Sequence, residues 1–162
     1  MASVSPLYLR DEELTRALYL FWLAELELVR PGLRRLADRD LMLKDYLILL
    51  FVAARPDTTV AALTQLLGSS KQALSRHVIR MRAQGLLTEG ERGRDRRCRP
   101  LRITERGAAL LEELVSLQKR ALRRGFGQAG PEAVGGFLGV LAHLVPERGR
   151  PFLPPSGTAG EP

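Results

Sequence analysis

Three observations point to a mainly α-helical chain with a small β-wing, a winged helix-turn-helix set between N-terminal and C-terminal helices. Apolar residues recur at helical spacing over most of the 162 residues. Two short helical runs meet at Gly68-Ser69-Ser70, a turn that carries its own helix cap. A hairpin follows whose charge is almost entirely basic: residues 69–102 hold ten Lys or Arg against three acids, so the whole net charge of +7 resides there. The rest of the chain is electrically balanced. A positive field confined to one helix and one hairpin is what a surface built against phosphate requires, although a solvated arginine face would look the same by clustering alone.

From the N-terminus, residues 8–37 read as a helical region. Leu14, Leu18, Phe21, Trp22 and Val29 form one apolar stripe and Leu20, Leu23 and Leu28 a second. A helix apolar on two faces has to be covered on two sides, by a partner subunit or as an ordinary core helix. Pro31-Gly32 marks a break or kink. Residues 41–104 form the next unit. Its first helix, residues 41–55, is apolar on all sides through residues 46–52 and takes Asp40 as its cap, so it is the expected centre of the core; Pro56 ends it. Thr58 or Thr59 caps a short helix that points Val60, Leu63 and Leu67 inward. Ser70 caps the following helix, residues 71–84, which ends at Gly85.

At 100° per residue, that second helix groups Leu74, Val78 and Met81 toward the core. Gln72, Ser75, Arg76, Ile79 and Arg80 take the opposite side. Amide and guanidinium groups on an outward face suit base edges and phosphates in a major groove: Gln pairs with adenine, Arg with guanine, and Ile79 is placed to meet a thymine methyl. A strand beginning at Leu86-Leu87-Thr88, a charged tip through Arg97 and a return along residues 99–103 complete the hairpin. Thr104 caps a long helix that tolerates Gly107 near its start, runs to about Gly125 and breaks over residues 127–131. Val134, Phe137, Leu138, Leu141 and Val145 outline a last helix, so residues 105–145 make a C-terminal helical region. The Pro- and Gly-rich residues 146–162 read as a disordered tail.

Composition excludes several classes of function. One cysteine, Cys98, and two histidines, His77 and His143, leave no intramolecular disulfide and no zinc ligand set. No metalloprotease, nucleophile-elbow or phosphate-loop motif occurs, so no enzyme and no cofactor is expected. Asp11, Glu12 and Glu13 stand where a signal peptide would carry its apolar core, and the longest strongly apolar run, residues 46–54, falls far short of the ~20 residues of a spanning helix. A cytoplasmic protein without a membrane partner is the expectation.

The order of elements and several short motifs resemble the MarR family of transcription regulators. The residues that carry the resemblance are Thr59-Val60-Ala61-Ala62-Leu63, Ser70-Lys71-Gln72-Ala73-Leu74-Ser75-Arg76, Gly85-Leu86-Leu87 and Asp95-Arg96-Arg97, followed by Leu101-Arg102-Ile103-Thr104-Glu105-Arg106-Gly107. The match spans roughly residues 10 to 145, and its most specific part is the wing signature Asp-x-Arg running into Ile-Thr-x-x-Gly. Leu9-Arg10-Asp11-Glu12-Glu13-Leu14 with Lys71-Gln72-x-Leu74 is similar to the PetP-type subgroup.

The resemblance implies a homodimer whose N- and C-terminal helices are dimerisation helices, bound to double-stranded DNA. It implies a recognition helix acting through Ser70, Lys71, Gln72, Ser75, Arg76 and Arg80. In the wing, Asp95 would brace Arg97 for the minor groove, with Arg92, Arg94 and Arg96 on phosphates. Family members hold small aromatic effectors between the dimerisation helices and the winged helix; Tyr19, Trp22 and Tyr46 are the candidates to line such a cleft, or they are packing. Cys98 departs from the usual small polar residue after the wing arginines. Neighbouring arginines favour its thiolate, so it is either a redox switch in the wing or an incidental exposed thiol. The expected function is a sequence-specific, homodimeric regulator on a pseudo-palindromic operator, released by a small molecule or a redox signal. A winged helix used as a protein-interaction module and a non-specific architectural DNA binder are the alternatives.

Overall fold

The computed structural model describes residues 6–90 and 99–154. After a single 3-10 turn at Leu7–Leu9, the chain forms α1 (Asp11–Ala37), α2 (Leu43–Ala54), β1 (Thr58–Thr59), α3 (Val60–Leu67), α4 (Lys71–Ala83), β2 (Leu87–Glu89), β3 (Pro100–Ile103), α5 (Glu105–Ala129) and α6 (Pro131–Leu144). The three strands make one antiparallel sheet in the order β1-β3-β2. Thr58 pairs with Leu101, and Leu87 with Ile103. The architecture is a winged helix-turn-helix with long helices on either side.

Local chemistry explains most of the boundaries. Thr59, Ser70 and Thr104 each place a hydroxyl oxygen on the N–H three residues ahead, at Ala62, Ala73 and Gly107, removing one orphan donor from the first turn of α3, α4 and α5. Gly68 and Gly85 take φ of +59° and +70° at the ends of α3 and α4, where a side chain would be strained. The core is then closed by Ile48, Leu49 and Val52 of α2, Leu63 of α3, Leu74 and Met81 of α4, Leu101 of β3 and Leu114 of α5, all at most 2% exposed.

Four features differ from the sequence expectation. Pro31 does not break the first helix, because α1 continues to Ala37 and packs along α5; Gly32 lies so close to Leu114 that a Cβ would sit 3.3 Å from its Cδ2. Tertiary packing outweighs the one hydrogen bond that proline removes. Asp40 does not cap α2. It takes φ +54° in the preceding turn, while Met42 occupies the cap and Asp45 reaches back to the Met42 N–H at 2.7 Å. The long helix α5 does not stop near Gly125 but runs to Ala129, and Gly130, at φ +81°, makes the break before Pro131. Finally, part of the expected tail is folded. Glu147–Phe152 forms a 3-10 segment, and Phe152, 5% exposed, stacks edge-on against Phe51 with Arg55 above its ring. A single aromatic anchor holds a segment whose Pro and Gly content suggests none.

Tyr46, one of the candidate cleft residues, is 4% exposed and donates its hydroxyl proton to Gln118 of α5. It is a core residue tying α2 to α5. Burial pushes its phenol above the ordinary value of 10. The folded state thus holds the proton that the unfolded chain releases near pH 10, so the stabilisation is complete below pH 10 and is lost as pH rises toward the folded-state value. Tyr46→Phe is expected to cost about 1 kcal/mol at pH 7 by losing the hydrogen bond. The same variant should lose less stability than the parent between pH 9 and pH 11, as read by denaturant titration at each pH.

Candidate nucleic-acid interface

The second helix of the helix-turn-helix, α4, has two distinct sides. Leu74, Val78 and Met81 are buried on α2 and α3, as their spacing requires. Lys71, Gln72 and Arg76 are exposed, Ser75 is half-buried, and Ile79 is 65% exposed. Ser70, counted among the recognition residues, has its hydroxyl oxygen on the Ala73 N–H at 3.2 Å, so it shapes the helix start. Behind it, Lys44 of α2 donates to the Ser69 hydroxyl at 2.9 Å, pinning the turn between α3 and α4.

Arg80 departs from the outward face assigned by the helical wheel. Its guanidinium folds back onto the buried carboxylate of Asp45 on α2, which also faces the Nδ1 of His77 at 2.7 Å. A wheel places the Cα; a long side chain then goes where a partner exists, and a carboxylate 0% exposed is a stronger attraction than solvent. Arg80 is therefore committed to α2 rather than presented to a groove. Neither Asp45 nor His77 was a candidate site residue. Asp45 sits beside Lys44 in the first turn of α2, an ordinary place for an acid, so the sequence carried no signal of its role.

At the base of the wing, Glu89 of β2 holds both Arg82 from the end of α4 and Arg99 ahead of β3. Arg102 of β3 pairs with Asp57 at 2.8 Å. Three of the ten basic residues of the stretch are thus engaged at the junction of helix and hairpin. Arg92, Arg94, Asp95, Arg96, Arg97 and Cys98 lie outside the described residues.

The three aromatic candidates stand in different settings. Tyr46 is buried, whereas Tyr19 and Trp22 are 67% and 56% exposed on α1. A cleft of about 630 Å³ does open elsewhere, between the end of α1, the end of α4 and the start of α5, lined by Arg39, Gln84, Arg106 and Glu113 among others. None of the three aromatic residues lines it. Among the described residues, no group of three His, Cys, Asp or Glu side chains is placed to hold a metal ion, and no helix is long and apolar enough to cross a membrane.

This geometry has known counterparts. Residues 39–97 match the sequence profile of the MarR family. Over 139 residues the chain is 33% identical to the HTH-type transcriptional regulator PetP of Rhodobacter capsulatus, covering 86% of this chain and 84% of that protein. Among solved structures, a MarR family protein from Bacillus stearothermophilus superposes with a TM-score of 0.67 at 20% identity, over 84% of this chain and 95% of the other. A mutant MarR of E. coli complexed with operator DNA gives 0.62 at 19% identity, over 88% and 100%. At those identities the structures speak for the fold. With a relative this similar over most of both chains, and with a DNA-binding helix and wing in the family's order, the chain belongs to the MarR family of transcriptional regulators.

Proposed function

We propose that the protein acts as a homodimer on a pseudo-palindromic operator, with the two copies of α4 entering successive major grooves about 34 to 36 Å apart. The observation that carries this reading is the two-sidedness of α4. Its apolar face is buried, which leaves Lys71, Gln72 and Arg76 as exposed polar reach on the second helix of the helix-turn-helix. Support for the dimer comes from α1, a 27-residue helix that buries only Leu36 within its own chain. In the wing, Arg97 braced by Asp95 is assigned to the minor groove, and Arg92, Arg94 and Arg96 to phosphates. Release by a small aromatic molecule, or by oxidation of Cys98, belongs to the same reading, as does a cytoplasmic setting without catalysis.

The test is selection of bound fragments from genomic DNA by the purified protein, then titration of the recovered site against random DNA at fixed salt. An inverted repeat bound at least about a thousandfold tighter than random sequence is the expected result. Uniform binding would point to an architectural role, and no binding at moderate salt to a protein-interaction module. On the recovered site, Gln72→Ala should cost about 1 to 3 kcal/mol at one base position, whereas Arg97→Ala should weaken all sequences alike and flatten the salt dependence. Equal losses on operator and random DNA for Gln72→Ala would remove Gln72 from base reading.

A further inference from the structure

The strongest polar arrangement in the described core is not on the DNA-facing side. Asp45, 0% exposed, sits in the first turn of α2 with both oxygens occupied. Its Oδ1 faces the His77 Nδ1 at 2.7 Å; its Oδ2 accepts from the Met42 N–H at 2.7 Å and from Arg80. A carboxylate only accepts, so the Nδ1 of His77 carries the proton. His77 and Arg80 are three residues apart on one side of α4, so a single carboxylate grips the recognition helix at two points separated by about one turn. The Arg80 Nε is buried without a partner, so among the described contacts the guanidinium is held through its Nη2, which donates to Asp45.

We infer that Asp45 is a positioning residue for sequence reading: it sets the rotation and axial placement of α4 and thereby aims Gln72 and Arg76, without touching DNA. This inference rests on the reading that α4 enters the groove. The apolar contacts of Leu74, Val78 and Met81 seat the helix by shape and volume, but hydrophobic burial is itself non-directional and sets no bond angle. Hydrogen bonds to a fixed carboxylate constrain both distance and angle. A binding constellation works only when held within about 0.5 Å and 10–20°. Arg76 directly precedes His77, and Gln72 lies one turn before Arg76, so any rotation about α4 moves both base-reading side chains together. The carboxylate is itself held on α2, whose Ile48, Leu49 and Val52 are at most 2% exposed in the core. Its place in the first turn of α2 also puts negative charge at the positive end of that helix. The aim of the recognition helix is thus referenced to a helix anchored in the core.

The inference separates discrimination from affinity, and the experiment reads both. Asp45→Asn keeps the shape and the acceptor for the Met42 N–H but loses the charge. At a temperature where circular dichroism shows the variant fully folded, it should lose about tenfold or more in the ratio of operator to random-DNA affinity, with random-DNA affinity held or raised. His77→Gln, which keeps a donor, should retain most of the ratio, whereas His77→Leu should lose it. The pair Asp45→Asn and Arg80→Met should be non-additive, the double variant discriminating no worse than the poorer single one. An unchanged ratio in folded Asp45→Asn, with only a lower melting temperature, would reduce the cluster to a stability element and overturn the inference. So would a drop of about one in the salt slope on Arg80→Met, which would put Arg80 on a phosphate. If Asp45→Asn does not fold, the two His77 variants decide by the same ratio. A parent protein that shows no operator preference would fail the functional reading itself, an outcome distinct from loss of the ratio in the variants alone.

Discussion

Leu18→Glu is expected to turn the protein into a monomer and to lower operator affinity by about two orders of magnitude or more. Leu18 lies at the centre of a stripe formed by Leu14, Leu18, Phe21 and Trp22 on α1, each about half-exposed in the single chain. Tyr19, Leu20, Leu23 and Leu26 extend that apolar surface around the helix. Monomeric proteins rarely leave so much contiguous apolar surface to water. An unpaired carboxylate placed in the middle of it would have to be desolvated on association, and no basic residue of α1 stands on the stripe to receive it. On the proposed two-fold operator each winged helix would hold half of the site, so separating the copies would remove the intramolecular second contact while leaving α4 intact. Sedimentation across a concentration series, with titration of operator DNA, reads both effects. A variant that remains dimeric and binds as the parent does would show that α1 is covered by something other than a second copy.

Gly107→Ala is expected to destabilise the protein by about 1 to 3 kcal/mol, enough to lower the melting temperature by several degrees in a chain of this size. A Cβ at this position would lie 2.2 Å from the Leu86 carbonyl oxygen and 2.9 Å from the Ile103 Cγ1. That carbonyl cannot retreat, because it accepts the Thr104 N–H while the Thr104 hydroxyl donates to the Gly85 carbonyl. The first turn of α5 is in this way clamped against the point where α4 gives way to β2. Relief of the overlap must move the wing relative to α4, so operator affinity should fall alongside stability, as followed by thermal denaturation and DNA titration. A variant with parental melting temperature would mean that the Leu86 backbone is free to shift.

The close approach at Gly107 marks the boundary of what local patterning reveals. Read from the chain, Gly107 is a residue tolerated near a helix start; only the strand arriving from Leu86, twenty-one positions earlier, makes it obligatory. The same holds for Arg80. Its position on the helix is correctly computed from the 100° step, yet its guanidinium is drawn to Asp45, thirty-five residues away, through a contact that no periodicity encodes. Asp45, beside Lys44 just ahead of the apolar run, gave no local sign that it partners two residues on another helix. Phe152 follows the same rule, since the composition around it speaks for a tail while Phe51 offers it a seat.

Caps, turns and apolar stripes are local quantities. They depend on hydrogen bonds three or four residues apart and on which side of a helix meets water. The hydroxyl caps at Thr59, Ser70 and Thr104, the turns at Gly68 and Gly85, the inward trio Leu74, Val78 and Met81, and the concentration of charge in residues 69–102 were for that reason readable in chain order, and with them the winged helix and its family. What three-dimensional packing added is the pairing of groups far apart in sequence: Asp45 with His77 and Arg80, Glu89 with Arg82 and Arg99, Tyr46 with Gln118, and the seat of Gly107 on Leu86. For Asp45 and Tyr46, burial leaves a polar group no partner but the one that folding brings to it. The ion pairs among them engage Arg80, Arg82 and Arg99 within the fold.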